Sequence, residues 1–239
     1  MPSAQALTPE RKRDLLARVP LFSGFAAREL DALVPAARAV TVAARDEVFH
    51  KGDAGSQLYV VVDGRLKALT TSSEGDDVVF NVMGPGEVFG EMALLSEAPR
   101  SATVQAIERC ELLVLDRRDL FAFLRRNPDV AVRMLTVVVE RLVRVSELVE
   151  DIQFLKLPVR LAKKFVLFAE RYGRPEKNGA VKIDLKLSQE EWGDLVGTTR
   201  ESINKQMREW GDEGLIQIDA GFVTLLRPEA FERLAAATL

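Results

Sequence analysis

Residues 89–104 read FGEMALLSEAPRSATV. Gly90 lacks a Cβ, so the backbone there can come close to another group. Glu91 opens a short apolar helix, and the free N–H groups of a helix start favour an anion. Farther on, Arg100 offers a planar fork able to hold two phosphate oxygens at once. A Gly-Glu pair and an Arg-Ser pair ten residues apart arise readily by chance, so the weight of this stretch depends on the frame around it.

That frame is a run of short apolar segments. VTVAARDEVFHKGDAG (40–55), LYVVVDGRLKAL (58–69), DDVVFNVMGPGEVFG (76–90) and SATVQAIERCELLVLD (101–116) are broken by GDAG, VDGR, SSEGDD and GPGE. Breaks about every ten residues between apolar runs are the spacing of an all-β sandwich or barrel. About eight strands are predicted, closing as a β-roll. Upstream, TPERKRDLLARVPLF (8–22) and AARELDALVPAAR (26–38) have helical periodicity and form a helical preface.

Downstream the pattern changes. Asn127-Pro128 offers an N-cap and a proline at the first helical position, and no glycine or proline follows until Pro158, which predicts one long helix to about Phe154. Leu135, Val138, Leu142, Val145, Val149 and Ile152 repeat at alternating spacings of three and four, with Arg141, Arg144, Glu147 and Glu150 beside them. This is the seam of a two-stranded coiled coil and predicts a homodimer. A stripe that only packs on the roll is the alternative reading. Pro158 marks an interdomain hinge at 155–158, and a new helix is predicted from Val159 to about Tyr172.

LSQEEWGDLVGTTRESINKQMREWGDEGLIQIDAGFVTLL (187–226) has the order helix, turn, helix, hairpin. Ser188 and Glu191 form a capping box, Gly197 supplies the turn, Thr199 caps the second helix and Ala220-Gly221 turns the hairpin. On a helical wheel Arg200, Glu201, Asn204, Lys205 and Arg208 fall within an arc of about 140°, with Ile203, Met207 and Trp210 clustered away from it. Such an arc is usually a solvated face. As the second helix of a capped helix-turn-helix followed by a wing, it is expected to read DNA, with Ser188 and Thr199 as further candidate contacts.

Composition removes other classes. Cys110 is the single cysteine and His50 the single histidine, so one chain cannot form a disulfide, a Cys-rich zinc site or a His-based triad, and no metal and no enzyme activity are expected. The net charge is −3. Residues 154–239 hold 14 Lys/Arg against 13 Asp/Glu and residues 1–153 hold 19 against 23, an asymmetry that leans toward nucleic acid at the C-terminal end. The charged N-terminal stretch lacks a signal peptide's apolar run and nothing approaches a membrane span, so a cytoplasmic location without membrane partners is expected.

The 89–104 stretch resembles the phosphate-binding cassette of cyclic nucleotide-binding domains, F-G-E-[LM]-A-L followed by P-R-[SA]-A-T-V, and HKGDAGSQLYVVVDGRLK and GPGEVFGE resemble the same family's glycine framework. The C-terminal segment is similar to the recognition unit of the cyclic-AMP receptor and fumarate-nitrate regulator family. The resemblance implies an α+β chain: a nucleotide-binding β-roll with N-terminal helices (1–126), a dimerisation helix (127–154), a hinge (155–158) and a winged helix-turn-helix (159–239). It implies that Glu91 bonds a ribose hydroxyl, that Arg100 and Ser101 hold a cyclic phosphate, and that backbone from Gly90 through Met92 to Ala93, and at Ala102, adds contacts. It places Arg141 near the phosphate, and Val145-Ser146 where the family reads adenine with Thr-Ser. Val145 lacks that hydroxyl.

In the reading helix, Arg200 and Glu201 match the family, whereas Lys205 stands where an arginine is expected, and a half-site related to TGTGA follows. The resemblance thus implies a homodimeric transcription regulator gated by a cyclic nucleotide, cyclic AMP foremost, acting on a palindromic DNA site and on RNA polymerase. Two alternatives keep the fold: a regulator that is effector-independent or answers another ligand such as cyclic di-GMP, and a nucleotide-binding subunit acting on a protein partner.

Overall fold

The computed structural model describes residues 8–22, 25, 27–72 and 77–236. The chain divides into two compact units, Met1–Glu140 and Arg141–Leu239. The break expected at Ser72–Asp77 falls for the most part outside the described residues, as does the N-terminal stretch through Leu7.

The first unit opens with helix α1 (Pro9–Ala17), which Thr8 caps by accepting from the Arg11 N–H, and a short helix α2 (Ala27–Leu30). Eight strands follow: β1 (Arg38–Val42), β2 (Glu47–Phe49), β3 (Gln57–Asp63), β4 (Leu66–Thr71), β5 (Asp77–Met83), β6 (Val88–Phe89), then helix α3 (Glu91–Ser96), β7 (Thr103–Ala106) and β8 (Cys110–Asp116). They pair antiparallel as two four-stranded sheets, β1-β8-β3-β6 and β2-β7-β4-β5, which is the expected roll. Alternation sorts the side chains into two cores. Tyr59, Val61, Leu66, Phe89, Val104, Leu112 and Val114 fill the space between the sheets. Leu58, Val60, Leu113 and Leu115, on the other face of their strands, pack with Leu16, Phe22, Leu30 and Leu33 of the helical preface.

Helix α4 (Arg117–Arg126) and the long helix α5 (Pro128–Phe154) complete this outer core through Leu120, Phe123, Val130 and Met134. Asn127, expected to cap α5, turns its side chain back and donates through Nδ2 to the Phe123 carbonyl, so it closes α4. Pro128 begins α5, where its missing N–H costs nothing.

The exposed stripe on α5 is broader than the sequence pattern suggests. Leu135, Leu142, Val145, Val149 and Ile152 are exposed as expected, but so are Val132, Val139 and Val143, while Val138 is half-buried. The reason lies in the wheel: Val130, Met134 and Val137 turn to the roll core, and the free arc lies opposite them, with Val138 at its border.

The second unit holds the rest of α5, helix α6 (Leu157–Tyr172), strands β9 (Gly173–Pro175) and β10 (Val181–Ile183), helices α7 (Gln189–Val196) and α8 (Arg200–Asp212), strands β11 (Ile216–Asp219) and β12 (Phe222–Leu225), and helix α9 (Pro228–Ala236). Helix α6 starts two residues earlier than expected, with Pro158 inside its first turn, where proline is tolerated. Only Leu155 and Lys156 separate it from α5. The wing is a four-stranded sheet, β11-β12-β10-β9, of which the sequence reading gave only one hairpin. Phe165, Trp192, Trp210 and Phe231 pack ring against ring, joining α6, α7, α8 and α9.

Candidate functional site

Arg100 is the centre of the cassette. Its side chain is 5% exposed. The guanidinium lies 4.1 Å from the Phe49 ring centroid and 5.6 Å from that of Tyr59, donating from Nη1 to the Gly90 carbonyl (2.9 Å) and from Nη2 to the Gln57 carbonyl (3.1 Å). Its Nε is buried without a hydrogen-bond partner. Burial pulls the arginine pKa below its ordinary value, with the neighbouring Tyr59, Glu91 and Asp53 acting in the opposite direction. Burying a cation is costly, and the two carbonyls, the aromatic rings and the nearby carboxylates offset part of that cost.

Two glycines make room for it. A Cβ on Gly90 would sit 2.6 Å from Arg100 Nη1 and 2.8 Å from the Gln57 carbonyl, and φ of +84° there already excludes most side chains. A Cβ on Gly55 would sit 2.5 Å from Ala93 Cβ and 2.8 Å from Arg100 Nε. Gly90 is also the N-cap of α3, without a side-chain cap, which brings the start of that helix beside Arg100. Glu91 is buried in the first turn, Ala93 and Ala102 are buried, and Met92 and Ser101 are exposed, the Ser101 hydroxyl lying 3.7 Å from Met92 Sδ. The structure thus brings together Gly90, Glu91, Met92, Ala93, Arg100, Ser101 and Ala102.

The backing of the site was not read from the sequence. Phe49, Tyr59 and Phe89 form an aromatic wall, with Tyr59 and Phe89 stacked at 5.0 Å. The Tyr59 hydroxyl donates to Gln57 Oε1 (2.8 Å), and Gln57 Nε2 donates to Asp116 (2.9 Å). Burial raises the Tyr59 pKa, keeping the phenol neutral. The alternation of LYVVV, which turns Tyr59 inward, and the glycine of GDAG were the available signals.

Arg141, Val145 and Ser146 belong to α5 in the second unit. Val145 is exposed, and the Ser146 hydroxyl donates to the Leu142 carbonyl (3.1 Å).

In the C-terminal segment the predicted capping is present. Ser188 Oγ accepts from the Glu191 N–H, Glu191 Oε2 accepts from the Ser188 N–H, and Thr199 Oγ1 accepts from the Ser202 N–H. Gly197 closes α7 with φ +68° and ψ +53°, and the hairpin turns at Ala220 and Gly221, both at positive φ. Ile203, Met207 and Trp210 are buried, while Arg200, Glu201, Lys205 and Arg208 are exposed. Asn204 is half-buried, its Oδ1 3.5 Å from Gln189 Nε2. One helix therefore presents a charged row fixed by an apolar back. Among the described residues no three His, Cys, Asp or Glu side chains form a metal cluster.

Comparison with known proteins agrees with both halves. Residues 39–127 match the cyclic nucleotide-binding domain, and residues 159–234 match the Crp-like helix-turn-helix domain. A cyclic AMP receptor protein of Thermus thermophilus is 31% identical over 90% of this chain and 96% of its own length. The chain belongs to the cyclic AMP receptor protein and fumarate-nitrate regulator family.

Within that family, a CRP-like cAMP-activated global transcriptional regulator of Mycobacterium tuberculosis is 29% identical over 93% of this chain and 99% of its own. The crystal structure of the Thermus thermophilus catabolite activator protein is 30% identical with a TM-score of 0.52, covering 90% of this chain and 98% of that one. As a family member, the chain is a DNA-binding transcription regulator with a cyclic nucleotide-binding domain.

Proposed function

We propose that the protein is a homodimeric regulator whose hold on a palindromic DNA site is set by a cyclic nucleotide in the β-roll, cyclic AMP foremost. The observation that carries this reading is Arg100: a buried cation donating to two backbone carbonyls, flanked by two glycines whose positions a side chain would obstruct. These residues fit a cyclic phosphate. The guanidinium and the Ser101 hydroxyl would take the phosphate oxygens, α3's first N–H groups would add donors, and Glu91 would accept from the ribose hydroxyl. Arg141 and Ser146, from α5, would complete the site. The effector is then a counter-ion for a preformed positive hole, and its differential affinity for two arrangements of the dimer sets the DNA-binding equilibrium.

The exposed apolar face of α5 supports the dimer, since an isolated helix surface of this kind is otherwise left to water. In DNA, Arg200 would fork onto a guanine, Glu201 accept from a cytosine amino group and Asn204, Lys205 and Arg208 complete the contact, with Ser188 and Thr199 at the backbone. Two such helices spaced by one DNA turn, about 34 Å, would read a palindrome and present RNA polymerase, in the cytoplasm, with a bound regulator.

Val145 favours a second ligand reading. Valine offers no hydroxyl to an adenine amino group, which broadens the choice of base and admits a cyclic dinucleotide. Calorimetric titration of the full chain with cyclic AMP, cyclic GMP and cyclic di-GMP separates these readings. Binding of cyclic AMP at one site per protomer, with tighter binding to duplexes selected from a random pool, is expected. No binding by any of the three overturns nucleotide control, and Arg200→Ala and Glu201→Ala proteins that bind the selected duplex like wild type overturn the DNA contacts.

A further inference from the structure

The sequence pattern assigns Ile152 to the dimer seam, and its side chain is exposed like the rest of that stripe, but it also meets the turn of the helix-turn-helix. A Cβ on Gly197 would lie 2.6 Å from Ile152 Cδ1 and 2.8 Å from Cγ1, so the Ile152 side chain already rests on the backbone of the turn between α7 and α8. Gly197 stands three residues before Arg200. The turn itself is tight, with Thr198 N–H donating to the Gly193 carbonyl (2.9 Å), and a Cβ on Gly193 would come within 2.7 Å of the Thr198 carbonyl.

Two further bonds hold the same end of α5. Arg160 Nη1 donates to the Ile152 carbonyl (3.2 Å), and Lys163 Nζ pairs with Asp151 at 2.6 Å, the Asp151 side chain being 22% exposed. Residues 151 and 152 thus bind α6 through polar groups and the reading unit's turn through an apolar one. Position 152 also lies outside both segments matched to known domains, 39–127 and 159–234.

We infer that Ile152 is a positioning residue for DNA recognition: it seats the last turn of α5 on Gly197 and thereby fixes where the start of the reading helix α8 stands. The inference rests on the DNA contacts proposed above but not on the identity of the effector. The close contact has a plain physical consequence. Packed groups resist small displacements, so a shift of the α5 end moves the turn, and Arg200 and Glu201 with it. Asp151 and Lys163 keep the helix end from sliding away along α6.

The test compares Ile152→Ala, Ile152→Leu and Gly197→Ala in the full chain, using the duplex recovered by selection and an unrelated duplex of equal length. Ile152→Ala is expected to weaken binding to the selected duplex about tenfold, to leave binding to the unrelated duplex unchanged and to leave the mass in solution that of wild type. Ile152→Leu restores most of the selectivity, because a side chain of equal volume still reaches the turn. Gly197→Ala, which intrudes from the other side and strains a positive φ, lowers selectivity in the same way.

Equal selectivity in wild type and Ile152→Ala overturns the inference, as does dissociation of Ile152→Ala to a smaller species, which would return Ile152 to the seam. Thermal melts separate a folding failure from either result: an Ile152→Ala protein that melts far below wild type leaves the decision to Ile152→Leu and Gly197→Ala, and wild-type selectivity in Gly197→Ala overturns the inference. If Arg200→Ala also keeps full selectivity, the fault lies in the assigned DNA contacts and not in the seat.

Discussion

Replacing Arg100 by alanine should separate ligand binding from folding. In the free protein the guanidinium makes two hydrogen bonds to carbonyls and rests on the Phe49 ring, with Glu91 and Asp53 adding favourable charge, contributions offset by the desolvation of a buried cation. Hydrogen bonds to charged groups contribute about 1.5–3 kcal/mol each, and burial of an imperfectly paired charge costs several, so the two sides nearly cancel and a stability change within about 2 kcal/mol is expected. With a cyclic phosphate bound the balance differs, because the same fork would hold two anionic oxygens. Losing two charge-assisted bonds at about 1.5 kcal/mol each gives about 3 kcal/mol, or more than a hundredfold in affinity. Calorimetry with cyclic AMP gives the affinity and urea unfolding the stability. An affinity loss under tenfold, or a stability loss large enough to account for it, would refute the assignment of Arg100 as a counter-charge.

Three other outcomes follow from particular groups. Val145→Thr restores a hydroxyl at the position where the family reads adenine and should tighten cyclic AMP a few-fold to tenfold, read by the same calorimetry, with less effect on cyclic GMP. Ser188→Ala removes one half of the α7 capping box and should lower the stability of the C-terminal unit by about 1 kcal/mol, seen as an earlier urea midpoint of tryptophan fluorescence, since Trp192 and Trp210 both lie there. Burial, with the Glu108 charge adding to it, pushes the Cys110 thiol from its ordinary 9.0 up to about 11. Between those values the folded chain keeps a proton that the unfolded chain has lost, so this contribution to stability is complete below pH 9 and declines as the pH rises toward 11. Urea midpoints from pH 8 to 11 should fall less steeply in Cys110→Ala than in wild type.

The parts of this molecule legible in the sequence are those fixed by local chemistry. The turn glycine Gly197, caps such as Ser188 and Thr199, and the two-residue alternation of the strands each act within a few residues, and the structure has them as expected. What was not legible depends on partners distant in the chain. The ring of Phe49 and the carbonyl of Gln57 meet Arg100 across more than 40 positions, and nothing in either segment names the other. The strands β9 and β10 are three residues each and carry no alternation long enough to detect. On α5 a simple count of threes and fours chose Val138, which the roll core half-buries, and could not show that exposed Ile152 also touches the helix-turn-helix turn.

The buried guanidinium of Arg100 has one more consequence, for the protein with no effector present. On the proposed role of Arg100, a positive charge kept from water beside the start of α3 would not distinguish a nucleotide from any small anion that fits, so phosphate or sulfate in a buffer would compete for it by mass action. The unliganded state would then be defined by the salt around it. In a cell rich in inorganic phosphate, the regulator's threshold for its signal would be set against a constant background of weak occupants, and its sensitivity would be a property of the surrounding medium as well as of the chain.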